Sequence, residues 1–145
     1  MKWNLGITIV ILALSSHGCK DETVNPSSPG SSSYSAYDSS GTLLVQGAIS
    51  FDTKDSTITG EWNLSKIGNA QNTGPQVGTG KLEGSIHNET LFINMNPGWA
   101  DNNVFLTGNV ENGVLRGSWT WSSFRGPTSG GPFSVPFPKT VPRQQ

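Results

Sequence analysis

The sequence predicts an all-β domain, an antiparallel meander of seven to eight strands that closes into a small β-barrel. Glycine and proline are abundant, with 18 and 9 of 145 residues, which is typical of short strands joined by many turns. Apolar and polar residues alternate, so one face of each strand is expected in a core and the other in solvent. A glycine recurs in the middle of the apolar face, which favours inward curling and closure. A two-sheet β-sandwich is the alternative.

A five-residue repeat carries the glycines: an aliphatic residue, any residue, glycine, any residue, and then Ile, Val or Trp. Because alternate residues share one face of a strand, the first, third and fifth positions are predicted to point inward. We expect the glycines to make room for large inward side chains such as Trp62 and Trp119. The repeat occurs at Val45–Ile49, Ile58–Trp62, Leu82–Ile86, Leu106–Val110 and Leu115–Trp119.

Further alternating segments lie at Leu91–Met95 and Phe133–Phe137. With the repeats they predict seven strands, and an eighth is expected around Val77–Gly80. The short segments His87–Glu89 and Glu111–Gly113 contain asparagine or glycine and predict tight hairpin turns.

Two long connections interrupt the predicted meander, at residues 68–78 and 94–103. The second places Trp99 on a Pro-Gly turn near Asp101, Asn102 and Asn103. An aromatic ring among amide and carboxylate groups is what a sugar face needs, so these four residues are candidate ligand-binding side chains. The alternative is that Trp99 plugs the barrel end while the Asn and Asp side chains satisfy turn amides.

Trp62, Trp119 and Trp121 are predicted to share the inward face. They either pack in the core or, in a hollow barrel, line an aromatic cavity for a small apolar ligand. The segment Ile58–Trp62, "ITGEW", resembles the opening strand of lipocalin-like and avidin-like barrels. The resemblance implies a small barrel in which Trp62 packs across one end.

The N-terminal residues carry a targeting pattern. Lys2 precedes the apolar run Leu5–Leu14, which is shorter than the ~20 residues that span a bilayer but fits the apolar region of a secretory signal. The only cysteine, Cys19, follows a glycine just after this run. This arrangement resembles a bacterial lipoprotein signal and implies cleavage after residue 18 and acyl chains on Cys19 that hold the protein at a membrane. An ordinary cleaved signal and a buried N-terminal strand are the alternatives.

Lys20, Asp21 and Glu22 follow the cysteine and look like the lipoprotein export signal of Bacteroidetes. The resemblance implies an outer-membrane location facing the cell exterior, with the periplasmic face or secretion as alternatives. Residues 19–41 are rich in Ser, Gly and Pro, which predicts a flexible tether. The barrel domain is then expected at 42–138, followed by a tail at 139–145.

Composition and motifs predict a non-enzymatic protein without a cofactor or metal site. The formal net charge is -1, so no basic field attracts nucleic acid. The expected mature domain has no free thiol, one histidine (His87), and no phosphate loop, zinc spacing or nucleophile elbow. We therefore expect a lipid-anchored envelope protein that binds a small apolar or glycan ligand as an accessory module.

A structural or protein-interaction module of the outer-membrane surface is the alternative function. Such a module would bind another envelope protein through one of two surfaces. The first is the outer face of the barrel, and the second is the basic C-terminal end that contains Arg116, Arg125, Lys139 and Arg143. Asp55-Ser56-Thr57 also resembles the O-glycosylation acceptor of Bacteroidetes envelope proteins, and turn formation is the alternative for that segment.

Overall fold

In a computed structural model of the protein, residues 30–138 are described, and they form one antiparallel sheet of nine strands. None of these residues forms an apolar helix long enough to cross a bilayer. The predicted signal at 1–18, Cys19, the export signal and the tail at 139–145 lie outside the described residues. The strands are β1 (Ser31–Tyr37), β2 (Leu43–Ser50), β3 (Asp52–Lys54), β4 (Thr57–Lys66), β5 (Gly78–His87), β6 (Thr90–Asn94), β7 (Asn102–Glu111), β8 (Val114–Ser123) and β9 (Gly126–Pro136).

The sheet closes on itself. Its order is β2-β1-β9-β8-β7-β6-β5-β4-β3, and β2 also pairs with β4. Strand β3 continues β2 in the same register against β4, since Ile49 lies opposite Trp62 and Asp52 lies opposite Thr59. The ring therefore has eight strand positions, which confirms the predicted all-β barrel over the sandwich.

The eighth strand is not the one predicted. Of the residues 77–80, those from Gly78 onward form the start of β5. The additional strand is β1, inside the segment that was predicted to be a tether. That prediction was wrong for Ser31–Tyr37, and the folded domain starts before residue 42. Tyr34 and Ala36 point inward between serines, and β1 pairs with both β2 and β9. Pairing with β2 and β9 therefore stabilises a strand that the serine-rich sequence does not predict.

Most residues of the predicted inward faces form the barrel interior; Val110, near the terminal end of β7, is an exception because it is 40% exposed. Met95, Leu106 and Leu115 are at most 1% exposed and belong to one continuous cluster of buried apolar side chains. The barrel is packed rather than hollow, as in most protein interiors.

The repeat glycines have a different role from the one expected. A Cβ atom at Gly60 would collide with the Ser50 carbonyl, and one at Gly117 with the Thr107 carbonyl. These glycines therefore let neighbouring backbones approach closely. Room for the Trp62 ring comes from Gly80, directly opposite it on β5.

The two ends of the barrel differ in their connections. One end, which we call the terminal end, holds residues 30 and 138 and tight turns between strands. Positive φ angles at Asn88, Glu89, Asn112 and Gly113 confirm the two predicted hairpin turns. The opposite end, the loop end, holds the connections 38–42, 67–77, 95–101 and 124–125.

Candidate functional site

The connection 67–77 closes the loop end of the barrel. Its Gln76 side chain is fully buried. The Tyr34 hydroxyl donates a hydrogen bond to Gln76 Oε1 (2.9 Å), and Gln76 Nε2 donates to the Thr73 carbonyl (2.8 Å). Burial raises the pKa of the Tyr34 hydroxyl well above its ordinary value, so this hydroxyl stays protonated and remains a donor.

Three further contacts hold the same connection in place. Asn96 Nδ2 donates to the Pro75 carbonyl at 2.9 Å, and Ser129 Oγ donates to the Asn72 carbonyl at 2.6 Å. Gly74 lies so close to the Trp121 and Val104 side chains that a larger residue would clash. Residues from β1, β7, β8, β9 and the 95–101 connection therefore fix this loop, largely through polar contacts.

The three tryptophans predicted on the inward face pack against the protein itself. Trp62 and Trp119 are buried in the core, and Trp121 packs against it. Each indole N–H has an internal acceptor: the Met95 carbonyl for Trp62, the Tyr37 carbonyl for Trp119 and Asn102 Oδ1 for Trp121. Of the two alternatives for these residues, core packing is confirmed.

Trp99 does not plug the barrel end, because it is 62% exposed; that role belongs to Gln76. The asparagines near Trp99 do hydrogen-bond to backbone groups of the turn, as the alternative predicted. Asn94 Oδ1 accepts from the Asn96 amide at 2.9 Å, and Asn103 Nδ2 donates to the Trp99 carbonyl at 2.8 Å.

Asn102 and Asn103 are adjacent in sequence, but their side chains make different hydrogen bonds. Asn102 accepts the Trp121 indole N–H. Asn103 Oδ1 is buried without a hydrogen-bond partner among residues 30–138. Asp101 is exposed. The four predicted residues therefore lie in the 95–101 connection and at the start of β7, but they do not converge on one enclosed site.

A groove of about 510 Å³ lies at the loop end between the 38–42 and 67–77 connections. Trp119 and Leu44 contribute to it from the core, and Ser39, Ser129 and Gly130 complete one side. The polar side chains that carry most of its chemistry are Asp38, Gln71 and Asn72. We call this the loop-end groove. Its volume lies within the range of small-molecule sites, roughly 300–1,000 Å³.

The Asp38 carboxylate is the charged group of the loop-end groove. Its Oδ1 accepts from the Ser40 hydroxyl (2.6 Å), the Ser40 amide (2.8 Å) and the Thr42 amide (2.9 Å). The Ser40 hydroxyl, followed by the Thr42 amide, holds the pKa of this carboxyl below its ordinary value. Asp38 Oδ2 makes no hydrogen bond to the residues described, so an ionised carboxylate oxygen is available to a ligand.

Sequence reasoning missed most of this groove. Only Trp119 was among the candidate residues, because Asp38 was assigned to the tether and Gln71 and Asn72 to a loop without aromatic residues. A signal for Asp38 was present: Asp followed by Ser-Ser-Gly is typical of a turn in which the carboxylate accepts backbone amides. The convergence of residues 38, 71 and 129 depends on barrel closure.

The predicted basic C-terminal end includes two arginines within residues 30–138, Arg116 and Arg125, and these do not form one patch. Arg116 lies near the start of β8 and Arg125 in the turn that follows β8. They are nine positions apart along an extended chain, a distance of about 30 Å. They belong to opposite ends of the barrel.

No protein-family model matches this chain, and no curated protein matches it. Among solved structures, the chain is similar to the crystal structure of a rhizavidin–biotin complex, with 21% sequence identity and a TM-score of 0.43. The similarity covers 81% of this chain and 98% of that one.

Proposed function

We propose that this protein is a lipid-anchored, non-enzymatic binding module of a bacterial outer membrane, and that its loop-end groove takes a small ligand. The observation that carries the proposal is the Asp38 carboxylate, which lines the groove with one oxygen fixed by three donors and the other unpaired. Because the barrel interior is packed, we place the ligand in this groove rather than among the buried tryptophans.

The groove favours a ligand that donates hydrogen bonds. Asp38 Oδ2 and Gln71 Oε1 accept no hydrogen bond from residues 30–138, whereas Gln71 Nε2 already donates to the Asn69 carbonyl. None of the lysines and arginines within residues 30–138 lines the groove, so the described lining offers no positive charge to an anionic ligand. A sugar, another polyol or a small amine fits these acceptors, and a carboxylate does not.

The proposed anchor is compatible with an accessible groove. Cys19 precedes the first described residue, Gly30, which lies at the terminal end. Attachment on that side leaves the loop end on the far side of the barrel, away from the attachment point. The outward-facing location rests on the resemblance of Lys20, Asp21 and Glu22 to an export signal.

Titration of the purified domain with neutral sugars, polyols and small amines tests the binding proposal. Tryptophan fluorescence is a suitable signal because Trp119 borders the groove. We expect saturable binding that weakens about tenfold or more in Asn72→Gly combined with Gln71→Ala. Glycine keeps the positive φ of residue 72, so the loop can retain its conformation.

Gln46→Ala is the matched control, because Gln46 is an exposed amide on the wall of β2. It should bind as the wild type does. Absence of binding across the panel, or equal loss in the control, would contradict the proposal.

Labelling of cells with radioactive palmitate tests the anchor separately. The wild-type chain should incorporate label and Cys19→Ala should not. Protease treatment of intact cells then reports whether the anchored domain faces outward. Unchanged labelling in the variant would remove the argument for a lipoprotein.

A second candidate function, a protein-interaction module, is favoured by one observation at the loop end. Trp99 is 62% and Phe124 is 84% exposed, and pairing of Asn102 with Ser123 brings the bases of their two connections side by side. Exposed aromatic side chains are frequent at the centres of protein interfaces. Loss of a co-purifying envelope protein in Trp99→Ala with Phe124→Ala, with ligand binding unchanged, would favour this function.

A further inference from the structure

An exposed aromatic pair interrupts the polar outer wall of the barrel. Phe92 on β6 lies opposite Thr107 on β7, and Asn94 lies opposite Phe105. Phe92 and Phe105 are therefore diagonal neighbours on one face, about 7–8 Å apart and within reach of each other's rings. They are 47% and 39% exposed, and neither contributes to the core.

The pair belongs to a groove on the outside of strands β4 to β7. Its volume is about 630 Å³, which is within the range of ligand sites. None of its lining residues lines the loop-end groove, so the two are separate surfaces. We call it the wall groove; its main side chains are Thr57, Thr59, Glu83, Ser85, Phe92, Asn94 and Phe105.

The polar side chains around the rings are not engaged within the protein. Thr57, Thr59, Glu83 and Ser85 make no side-chain hydrogen bond or ion pair to residues 30–138. Asn94 Oδ1 is held by the Asn96 amide, which fixes the side chain and leaves its Nδ2 as a donor. The wall groove thus offers apolar rings flanked by free hydroxyl, carboxylate and amide groups.

We propose that the wall groove binds a neutral oligosaccharide. A pyranose ring has an apolar face of C–H groups that packs on an aromatic ring, and a rim of hydroxyls that needs donors and acceptors at fixed positions. The two phenylalanine rings supply platforms for successive sugar units. The threonines, Glu83 and Asn94 supply the polar partners.

The charge of the residues that line the wall groove favours a neutral sugar over an acidic one. Among residues 30–138, Glu83 is the only charged residue that lines the wall groove, and no lysine or arginine of that range lines it. An acidic polysaccharide would meet this like charge, and the nearest lysines on the same wall, Lys54 and Lys81, lie outside the groove lining. A carboxylate that accepts two neighbouring hydroxyls is instead well suited to a neutral sugar.

A second copy of the chain is a less suitable occupant. A two-fold interface places the same surface on both subunits. The Glu83 carboxylates of both copies would then enter one interface without a cation from this groove. This arrangement would cost free energy unless the carboxylates were protonated or moved apart.

Affinity electrophoresis of the folded chain through gels that contain glucan, xylan or mannan tests this proposal, followed by calorimetric titration with the matching neutral hexasaccharide. We expect retardation by at least one polysaccharide. Phe92→Ala and Phe105→Ala should each weaken hexasaccharide binding about tenfold, and Glu83→Gln should weaken it less because the amide oxygen still accepts.

Phe124→Ala is the matched control, since it removes an even more exposed phenylalanine from the turn that follows β8, outside the wall groove, and it should bind the hexasaccharide like the wild type. Thermal melts confirm that each variant is folded. The proposal is overturned by absence of retardation on all three gels, by equal loss in the control, or by concentration-dependent self-association that disappears in Phe92→Ala.

This proposal does not depend on the loop-end groove. Asn72→Gly with Gln71→Ala should leave hexasaccharide binding at the wall groove unchanged. Conversely, Phe92→Ala should leave small-ligand binding at the loop end unchanged, so failure of one site is distinguishable from failure of the other.

Discussion

The terminal end and the loop end close the same barrel with different chemistry. At the terminal end, Phe51 and Phe137 pack with ring centroids 4.9 Å apart, and the hairpin turns at 55–56, 88–89 and 112–113 are two residues long. At the loop end, the buried side chain that closes the barrel is Gln76, and its partners are the Tyr34 hydroxyl and a backbone carbonyl.

This difference has an energetic meaning. Apolar closure stabilises in proportion to the surface removed from water, about 25 cal/mol per Å². A hydrogen bond that replaces bonds to water contributes only about 1 kcal/mol net, but leaving one partner unpaired costs more. The terminal end is therefore suited to hold the fold, and the loop end to specify one loop conformation around the groove.

The largest effect is expected at the terminal end. Phe137→Ala should lower the free energy of unfolding by about 3 kcal/mol, because it deletes a nearly buried ring from the contact with Phe51. Urea unfolding followed by tryptophan fluorescence measures the change. Phe124→Ala is the control for loss of an exposed ring and should change stability by less than about 0.5 kcal/mol. If Phe137→Ala lowers the free energy of unfolding less than the loop-end variants Gln76→Leu and Asp38→Asn do, the terminal end is not the end that holds the fold.

An intermediate effect is expected from Gln76→Leu. It leaves the buried Tyr34 hydroxyl without an acceptor and should cost about 1–3 kcal/mol. Tyr34→Phe combined with Gln76→Leu removes both partners, so the double variant should be more stable than the sum of the single costs predicts. A double-mutant cycle from urea unfolding gives the coupling energy. Additive costs would show that the hydrogen bond does not hold the loop.

The smallest effect is expected from Asp38, whose folded-state pKa is lowered by hydrogen bonds from Ser40 and Thr42. Stabilisation from a lowered pKa is present above the unfolded-state value, near 3.8, and is lost as the pH falls through the lower folded-state value. The stability difference between wild type and Asp38→Asn should therefore shrink below pH ~4. Thermal melts from pH 6 to pH 2 measure it. A difference that stays constant with pH would show that the carboxylate charge plays no part.

Much of the wall could be predicted from sequence, and little of the loop end could. The alternation in β4, β7 and β8 fixed the inward residues, because adjacent side chains of a strand must face opposite ways. The hairpin turns followed from residues that tolerate positive φ, as at Asn112 and Gly113. Phe92 and Phe105 stood in outward positions of predicted strands, so their exposure followed from the pattern, but their proximity required the β6–β7 register.

The error at β1 has a physical cause. Tyr34 and Ala36 are two apolar positions in a segment of serines, and composition alone indicates too little burial to offset ordering. The segment is ordered because both of its edges are paired, to β2 and to β9. Only closure of the ring provides the second edge.

The sequence by itself determined the class of the fold, the inward face of most strands and the tight turns, since these depend on alternation and local backbone preferences. It also carries the resemblance to a lipoprotein signal around Cys19. The tertiary structure alone decided that β1 completes the ring, that Gln76 rather than Trp99 closes the loop end, and that Asp38, Asn72 and Ser129 border one groove. These features join residues from distant parts of the chain, and local sequence patterns do not specify which distant strands and loops meet.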